Sequence, residues 1–587
     1  MFELFYKKND NCSLFKYLEK NGFVKLQNYN PLYSTFFSQT EHTYNKFNLN
    51  HRYTIKEIKT RDSNNLFKII NEDDKQNRKS DLSFFKFSPL LDPVKYMVGK
   101  YKNLNEEEYL SLPQLENNIC HKKTLDSNNT AYVDSFFSFL SSKILNIPNN
   151  NFIHGIDFYG SFLAIQNNFE LNICDDLEYL YDSDFFHKKK GELFDVDDID
   201  EDRLLDSDTR NYRKKIILID DNEELNTNDI SLNCDSLDDS LFENMFTLSE
   251  SNLKIHNDNL HEEYSSGNKK SSLKSNKLTN STCSSRSSNT DNNDNEETDE
   301  DNEEHDNEDD SGSFSDDLTN SQKSDYSSMD SEEYIKCVIH NFPVQIICLE
   351  KLENTLDSLL DDEDKEMSIK QWASCLFQII ISLITYQKVF NFTHNDLHTN
   401  NVMYVKTDRK FLNYKYNNTY YRVPTYGKLF KIIDFGRSIY TFKGNIICSD
   451  SYHPTGDAAT QYNFGPYFND KKPRLEPNKS FDLCRLACSL FDYFIEDIEE
   501  KDEVSDPIAK LVVEWTTDDK GRNILYKNNG EERYPDFKLY KMIVRTVHNH
   551  LPESQLEKPI FKNFISSKKK IKKQKIINID NYSDMTK

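Results

Sequence analysis

The sequence lacks paired cysteines. Its 11 cysteines are scattered over 587 residues, none stands in a Cys-x-x-Cys pair, and no Cys/His cluster has the spacing of metal ligands. This distribution excludes a disulfide scaffold and a structural zinc site of the usual spacing. It predicts a reduced intracellular protein.

Targeting and membrane signals are also missing. The N-terminal sequence MFELFYKKNDNCSLFKYL carries charge from its third residue and has no apolar core of the signal-peptide kind. The longest apolar run, LFQIIISLITY, is shorter than a bilayer span and contains Gln378 and Ser382. We therefore expect no membrane partner and an intracellular, cytoplasmic location.

Acidic charge is concentrated in one part of the chain. Residues 171–340 hold 46 Asp+Glu and 16 Lys+Arg, a net charge of −30, whereas the whole chain carries −26. This part includes EETDEDNEEHDNEDDSGSFSDD and a Ser/Asn/Lys-rich run, neither able to bury much apolar surface. We predict a mostly disordered, acidic low-complexity insertion at 196–335. Recruitment of basic partners is its alternative role, and serines followed by acids, as in SSMDSEE, suit phosphorylation.

A basic run, KKKIKKQK, extends from Lys568 to Lys575. Such a run could serve nuclear import or contact nucleic acid. A solvated basic tail at 566–587 is the plainer interpretation, and we do not expect a nucleic-acid partner.

The two parts that flank the acidic insertion have different hydrophobic patterns. The first contains strand patterns (YTIKEIKT, NLFKII, LSFFKF, FIHGIDFYGSFLAIQ) around one helix pattern, AYVDSFFSFLSSKIL. The second begins with a strand, FPVQIICLEKL, and continues with helices, interrupted by the short strands NVMYV and KLFKII on either side of a polar loop. This order predicts an α+β protein, divided into an extension at 1–50, a β-rich part at 51–195 and 336–353, and a mostly helical part at 354–565.

Chemistry-bearing residues are concentrated in FTHNDLHTNNVMYV, Phe392 to Val405, which follows the long helix pattern. Asp396 on this loop could orient and deprotonate a hydroxyl group. Asn401 offers an amide oxygen, and Asp434 on a second loop offers a carboxylate, to a hard cation such as Mg²⁺. Two loops that converge on one metal would suit phosphoryl transfer.

These motifs resemble those of protein kinases. HNDLHTNN is similar to the catalytic loop at His394, Asp396, Leu397 and Asn401, and KIIDFGRS is similar to the magnesium-binding DFG element that contains Asp434. The resemblance implies a bilobal protein-kinase-like fold, with a β-rich N-lobe and a mostly helical C-lobe. It implies ATP and Mg²⁺ as cofactors and transfer of the γ-phosphate to Ser/Thr hydroxyls of protein substrates.

The resemblance extends outward to the nucleotide site. SFFKFSPLL resembles the third strand and implies that Lys86 orients the phosphates; a lysine at a strand edge is the alternative. The following helix offers Asp134, one methylene shorter than the glutamate usual in the family, as the partner of Lys86. A favourable charge at the start of a helix is the other role open to Asp134.

The hinge, the buried helix and the lineage are assigned by the same resemblance. QIICLEKLENTLDSLL looks like the fifth strand and hinge, with Leu349 as gatekeeper and Glu350 and Leu352 against the adenine. SFDLCRLACSLF looks like the buried helix whose Asp482 braces the catalytic loop. The combination of FFKFSPLLDPVKYMVGKY and HGIDFYGSF is most similar to kinases of giant DNA viruses, which would place the protein in a host cell or virion.

The sequence departs from the family pattern in several places. No glycine occurs between Gly22 and Gly99, so the turn in TRDSNN would cover the phosphates without one. Asn395 replaces the usual arginine, His398 replaces a lysine, and no Ala-Pro-Glu follows DFG. These departures leave two alternatives open: a small-molecule phosphotransferase of the same fold, and a pseudokinase scaffold that binds basic partners through its acidic insertion.

Overall fold

The computed structural model describes residues 2–8, 11–101, 105–116, 119–197, 335–360, 367–495, 498, 501, 503–571 and 574–587. The predicted disordered insertion falls almost wholly at 198–334, outside the described residues. The described residues form a mixed helix and sheet structure, so the α+β class is confirmed.

The first region is built on a seven-stranded antiparallel sheet. Its strand order is β2-β7-β9-β6-β5-β4, with β8 paired to β9, while β1 and β3 form a separate antiparallel pair. These strands are β1 (Tyr6–Lys8), β2 (Phe23–Gln27), β3 (Phe47–Leu49), β4 (Tyr53–Arg61), β5 (Leu66–Asp73), β6 (Arg78–Pro89), β7 (Phe158–Asn172), β8 (Phe194–Val196) and β9 (Lys336–Glu350). Strand β2 belongs to the segment predicted as an N-terminal extension, and it lies at the edge of the sheet beside β7.

Period-two patterns explain which side chains this sheet buries. In β5, Phe67 and Ile69 are buried while Lys68 between them is exposed. The central strands β7 and β9 are instead buried along most of their length, as expected for strands covered on both faces. The strands predicted from the sequence are confirmed, except that FIHGIDFYGSFLAIQ becomes a strand only from Phe158 onward.

The sheet is curled, so that edge strand β4 approaches β7. The Tyr53 and Tyr159 rings lie 6.2 Å apart, and Asn64 Nδ2 beyond the other end of β4 donates to Glu170 Oε2 at 2.5 Å. Helix α1 (Cys12–Lys20) packs its buried Leu14 and Leu18 into the hydrophobic cluster that the curl encloses. This cluster stabilises the sheet on the face opposite α5 (Thr130–Leu145).

Helix α5 is the predicted helix between β6 and β7. The Asn129 side chain accepts a hydrogen bond from the Ala131 N–H and caps its first turn. Almost every side chain of the helix is buried, Phe136 and Phe137 among them, because other elements cover it on several sides. The remaining helices of this region are α2 (Pro93–Met97), α3 (Glu106–Tyr109), α4 (Lys122–Leu125), α6 (Leu177–Tyr181) and α7 (Asp184–Lys189), with 3-10 turns at Pro31–Thr35 and Cys174–Asp176.

The second region is mostly helical. Its helices are α8 (Asp357–Leu360), α9 (Ile369–Phe390), α10 (Phe481–Phe494), α11 (Pro507–Trp515), α12 (Phe537–Thr546), α13 (Pro552–Gln555), α14 (Pro559–Lys562) and α15 (Lys568–Ile571). Its 3-10 turns are Thr399–Asn401, Asp450–Tyr452, Gly465–Tyr467 and Ile579–Asn581. One hydrophobic cluster joins α5 to α9, α10 and α11.

Helix α9 begins at a capping box formed by Ser368 and Gln371, and it ends at Asn391, whose φ of 48° turns the chain out of the helix. Among the described residues it is the one helix long and apolar enough to cross a membrane, and it is longer than the apolar run in the sequence suggests. Of its most apolar stretch, 89% is buried inside the protein, as in a core helix.

Two β-hairpins were not predicted. The stretch between NVMYV and KLFKII, interpreted above as a polar loop, contains β11 (Phe411–Tyr416) and β12 (Thr419–Pro424). The flanking β10 (Val402–Lys406) and β13 (Lys428–Ile432), both predicted as strands, pair with each other. The chain after Gly436, expected to be helical, first forms β14 (Ile439–Phe442) and β15 (Asn445–Cys448). Both turns place two consecutive residues at positive φ, Asn417–Asn418 and Lys443–Gly444, which matches the twist of a hairpin.

The C-terminal segment is also more ordered than a solvated tail. Strand β16 (Ile577–Asn578) pairs with β11, and Ile579, Tyr582 and Met585 are buried. The Met585 N–H donates to the Val389 carbonyl of α9 at 2.9 Å. The prediction of a solvated tail at 566–587 was therefore wrong for its second half, because apolar residues that are too sparse to form a pattern find partners in α9 and β11.

Candidate functional site

The polar loop Thr393–Asn401, called here the 393–401 loop, lies between α9 and β10. Helix α9 ends at Asn391, shortly before the loop begins. The pairing of β10 with β13 brings Asp434, which follows β13, beside the loop. The Ile433 N–H donates to the Asn401 carbonyl at 3.0 Å. The two loops that the sequence singled out therefore meet.

Asp482, on the first turn of α10, fixes the start of the 393–401 loop. Its carboxylate accepts the N–H of His394 at 2.9 and 3.1 Å and the N–H of Asn395 at 2.9 Å. Asp482 is fully buried and has no access to water, so these hydrogen bonds are the ones that satisfy its carboxylate. The bracing contact predicted for Asp482 is present.

Asp396 is held by residues distant in sequence. Its Oδ1 accepts the Tyr540 hydroxyl at 2.9 Å, and its Oδ2 lies 3.9 Å from Arg437 Nε. Burial raises the pKa of Asp396, but the positive charges of Arg437 and Arg485 oppose burial, and the pKa lies below its usual value. Asp396 is therefore a carboxylate at neutral pH, as a proton acceptor must be.

Asn401 and His398 contact each other. The Asn401 amide nitrogen donates to the Asp396 carbonyl at 2.8 Å and lies 3.0 Å from His398 Nε2. Burial lowers the pKa of His398 to about 4, so its ring is neutral and Nε2 can accept this bond. With its nitrogen engaged, the amide oxygen of Asn401 is the atom suited to a cation.

Lys86 on β6 joins the sheet to α5 and to the loop of Asp434. Its Nζ lies 2.7 Å from Asp134 Oδ2 and 2.8 Å from Asp434 Oδ1. Strand alternation buries the neighbouring Phe85 in the cluster inside the curled sheet and turns Lys86 to the opposite face, towards α5. The ion pair with Asp134, left open by the sequence, is formed.

Asp134 also contacts the backbone after Asp434. Its Oδ1 accepts the Phe435 N–H at 3.0 Å, and the Phe435 ring packs 4.6 Å from Phe137 of α5. Asp434 itself has a φ of 60°, which is uncommon for a residue other than glycine and is typical of functional sites. One short carboxylate thus links Lys86 to the backbone after Asp434.

Ionisation follows from this geometry. Burial works against a charged Lys86, but Asp134 and Asp434 outweigh it and raise the pKa of Lys86 above its usual value. Burial raises the pKa of Asp434, but the charge of Lys86 outweighs burial and holds this pKa below its usual range. Asp134 is more deeply buried, and burial raises its pKa in spite of Lys86. At neutral pH the group therefore holds a cationic lysine and an ionised Asp434 that is 44% exposed.

The predicted hinge residues lie where β9 ends. The Glu350 N–H donates to the Asp157 carbonyl at 3.0 Å, its carboxylate pairs with Lys431 on β13, and Leu349 and Leu352 are buried. These contacts hold the end of β9 beside β13. The adenine-binding role of Glu350 and Leu352 stays a prediction.

The turn Asp62–Asn65, called here the 62–65 turn, connects β4 and β5 and is closed without glycine. The Asp62 N–H donates to the Leu66 carbonyl at 2.8 Å, and Arg61 Nη2 donates to the Asn64 carbonyl at 2.9 Å. Asn65 exchanges hydrogen bonds with the backbone of Phe85, one residue before Lys86. The turn therefore lies next to the Lys86 strand, and its role of covering the phosphates stays a prediction.

Asn395, which replaces an arginine of the family pattern, contacts the chain after Gly436. Its amide nitrogen donates to the Arg437 carbonyl at 3.1 Å, and its oxygen accepts the Tyr462 hydroxyl at 2.7 Å. The side chain is fully buried and its φ is 64°. A neutral amide thus holds this segment where the family pattern uses a cation.

Two site residues were missed by sequence reasoning. Tyr540, on α12, reaches Asp396 across 144 positions of sequence. Asp450 accepts the N–H of Thr130 at 3.0 Å and its hydroxyl at 2.9 Å, pairs with Lys123, and so ties the start of α5 to the chain after β15. Neither residue stands in a motif, and only three-dimensional proximity identifies them.

The candidate site offers oxygen donors for a metal ion. The part of the chain that the structure describes contains no group of three or more His, Cys, Asp or Glu residues that could hold a metal alone. Asn401 and Asp434 supply two oxygen donors, the kind of incomplete set that Mg²⁺ accepts when phosphate oxygens complete its shell. The donor chemistry fits Mg²⁺.

Comparison with known proteins gives a partial similarity. No family model matches the chain. Over 116 residues, which are 19% of this chain, the sequence is 36% identical to a probable serine/threonine-protein kinase of Dictyostelium discoideum. The match spans 9% of the length of that protein. It supports a relationship to the protein kinase superfamily at most.

Proposed function

We propose that this protein is an ATP- and Mg²⁺-dependent kinase that transfers the γ-phosphate to Ser/Thr hydroxyls of proteins, on a bilobal kinase fold. The observation that carries the proposal is the placement of Lys86 Nζ between Asp134 and Asp434, at 2.7 and 2.8 Å. Three residues from two strand regions and a helix converge there, next to the braced 393–401 loop. The partial similarity to a probable serine/threonine-protein kinase supports the same activity.

Each residue has a role consistent with its surroundings. Lys86, kept cationic by two carboxylates, would orient phosphate oxygens. Asp434 and the amide oxygen of Asn401 would hold Mg²⁺, which when bound neutralises phosphate charge. Glu350 and Leu352 would contact the adenine at the end of β9.

Asp396 would accept the proton of the acceptor hydroxyl. Its depressed pKa makes it a weak base, but the hydroxyl needs only to be oriented and relieved of its proton late in a loose transition state. Tyr540 and Arg437 would fix the orientation of its carboxylate. A positioned base of this kind contributes about a hundred- to ten-thousand-fold in rate.

The test is an assay with labelled ATP, Mg²⁺ and a mixture of protein substrates. We expect transfer by the wild-type protein and a loss of at least about a hundredfold in Asp396→Ala. Asp408→Asn, which changes an exposed acid beyond β10, is the matched control and should retain activity. Equal transfer by wild type and Asp396→Ala would contradict the proposal.

The same assay separates the alternatives. Label that appears only in low-mass products would identify a small-molecule phosphotransferase. A protein that neither transfers phosphate nor shows a thermal shift with ATP and Mg²⁺ would be a scaffold. Descent from kinases of giant DNA viruses stays a prediction.

A further inference from the structure

Basic side chains without carboxylate partners lie next to the candidate site. Lys541 and Arg545 lie one turn apart on α12, and Lys472 lies on the exposed segment that connects Tyr462 to α10. No carboxylate among the described residues lies within ion-pair distance of these three. We call Lys472, Lys541 and Arg545 the basic patch.

Both elements that carry the basic patch are anchored at the 393–401 loop. Tyr540, the residue before Lys541, donates its hydroxyl to Asp396. Tyr462, from which the exposed segment starts, donates its hydroxyl to Asn395. The two elements that carry the patch therefore each contact the 393–401 loop.

The two elements also pack against each other. Phe464 of the exposed segment and Phe537 of α12 belong to one buried cluster, and Arg545 Nη2 donates to the Thr460 carbonyl at 2.9 Å. Arg545 Nη1 donates to the Lys541 carbonyl at 2.8 Å. The guanidinium is thus fixed by uncharged oxygens, and its positive charge is left without a carboxylate partner.

The three charges are close enough to affect one another. Burial lowers the pKa of Lys541 below its usual value, and the charges of Arg545 and Lys472 lower it further. The Lys541 ammonium lies 5.5 Å from the centre of the Phe537 ring. A cluster of like charges that the protein does not neutralise would be stabilised by an anionic ligand.

The chain itself contains sequence of the complementary charge. Residues 171–340 carry a net charge of −30 and include serines with acidic neighbours, as in SFSDD (Ser313–Asp317) and SSMDSEE (Ser327–Glu333). The 137 residues at 198–334 connect Asp197 to Ile335. Ser313 lies 22 positions before Ile335, about 70 Å of extended chain at about 3.3 Å per residue, so serines near the middle of this stretch have the longer reach.

We propose that the basic patch binds acidic, serine-containing sequence and directs it to Asp396, and that the acidic insertion of this chain is its substrate. The substrate part of this inference rests on the proposed kinase function, whereas the binding part does not. The patch would act as a specificity determinant, and acids next to the acceptor serine would contribute most.

The first experiment uses the full chain with ATP and Mg²⁺ and maps phosphorylated serines by mass spectrometry. We expect phosphoserine at 291–317, formed at a rate per molecule that does not depend on protein concentration. In Lys472→Gln/Lys541→Gln this rate should fall about three- to tenfold, as the loss of one exposed and one half-buried charge contact implies. Phosphorylation of an uncharged serine peptide should be unchanged. The matched control, Lys68→Gln/Lys510→Gln, removes two exposed lysines elsewhere.

The second experiment measures binding without ATP, so that its result does not depend on phosphoryl transfer. The probes are a fluorescent SDYSSMDSEE peptide and its neutral counterpart, SNYSSMNSQQ. We expect the acidic peptide to bind more tightly, and the double variant to lose about three- to tenfold of that preference. Binding of the acidic peptide without any transfer would refute the kinase function and leave the patch assigned.

Three outcomes would overturn the inference. The acidic and neutral peptides could bind equally, the double variant could match its control, or an RNA oligonucleotide could bind to the patch more tightly than the acidic peptide does. In the last case the patch would bind polyanions through their phosphates.

Discussion

The 393–401 loop and the 62–65 turn lie on two sides of Lys86, yet they are built differently. The loop is buried and is held by a carboxylate from another helix, Asp482. The turn is mostly exposed and closes on itself and on its neighbouring strand. Under the proposed function the loop would hold the acceptor hydroxyl and the turn would cover the phosphates, so the departure from a glycine-rich turn falls in the more exposed of the two segments.

The largest expected effect is at Asp482, whose carboxylate fixes the start of the 393–401 loop. Asp482→Ala leaves two buried N–H groups without an acceptor and should lower the free energy of unfolding by about 3 kcal/mol. Displacement of Asp396 should reduce phosphoryl transfer by about a hundredfold or more. Chemical denaturation and the ATP assay measure the two effects. Asp492→Ala, farther along α10, is the control and should retain activity; equal loss in both variants would show that Asp482 is no more than a stabilising residue.

The next effect is the pH dependence of stability that the buried His154 should cause. Burial lowers the pKa of His154 to about 4 from 6.5, so the unfolded chain binds a proton below pH 6.5 and the folded chain only below about pH 4. The contribution of His154 to stability is therefore present above pH 6.5 and falls as the pH drops to 4, by about 3 kcal/mol at most.

Denaturation of wild type and His154→Gln at several pH values tests this. The difference in unfolding free energy between the two proteins should shrink by that amount from pH 7 to pH 4. His42→Gln, which changes an exposed histidine, is the control for the substitution itself. A constant difference for His154→Gln would show that the ring does not titrate with this shift.

A smaller effect is expected at Asp134, which links Lys86 to the backbone that follows Asp434. Asp134→Asn keeps an oxygen for the Phe435 N–H but removes the charge beside Lys86. We expect transfer to fall about ten- to a hundredfold, corresponding to about 1.4–2.8 kcal/mol, with little change in unfolding. Asp81→Asn on the same strand as Lys86 is the control. An Asp134→Asn protein with full activity would show that the ion pair is structural.

The smallest effect is expected in the 62–65 turn. Asn64→Gly gives the exposed turn a glycine and removes the side-chain hydrogen bond from Asn64 to Glu170. We expect the KM for ATP to change by less than about threefold, because an exposed hydrogen bond contributes about 1 kcal/mol or less. Glu170→Gln separates loss of the charge from the added glycine. A change of tenfold or more would mean that the turn, like the loop, is fixed in place.

Much of this architecture follows from local sequence. The alternation in LFKII predicts β5, and the helical spacing of Val133, Phe136, Phe137 and Leu140 predicts α5. The hairpin β11–β12 was missed because its turn, Asn417–Asn418, lies within a run of polar and aromatic residues with weak alternation. The buried C-terminal segment was missed because a charged run dominates its composition and hides the apolar residues that follow.

The sequence by itself determined which groups could do chemistry, because Asp396, Asn401, Asp434 and Asp482 stand in short motifs whose residue types and spacing carry the signal. It also determined the charge of the acidic insertion. Only the tertiary structure decided that Asp134 reaches Lys86, that Tyr540 holds Asp396, and that Arg545 contacts the Thr460 carbonyl. These contacts join residues 48 to 144 positions apart. Their formation depends on how the sheet curls and the helices pack, which no local pattern specifies.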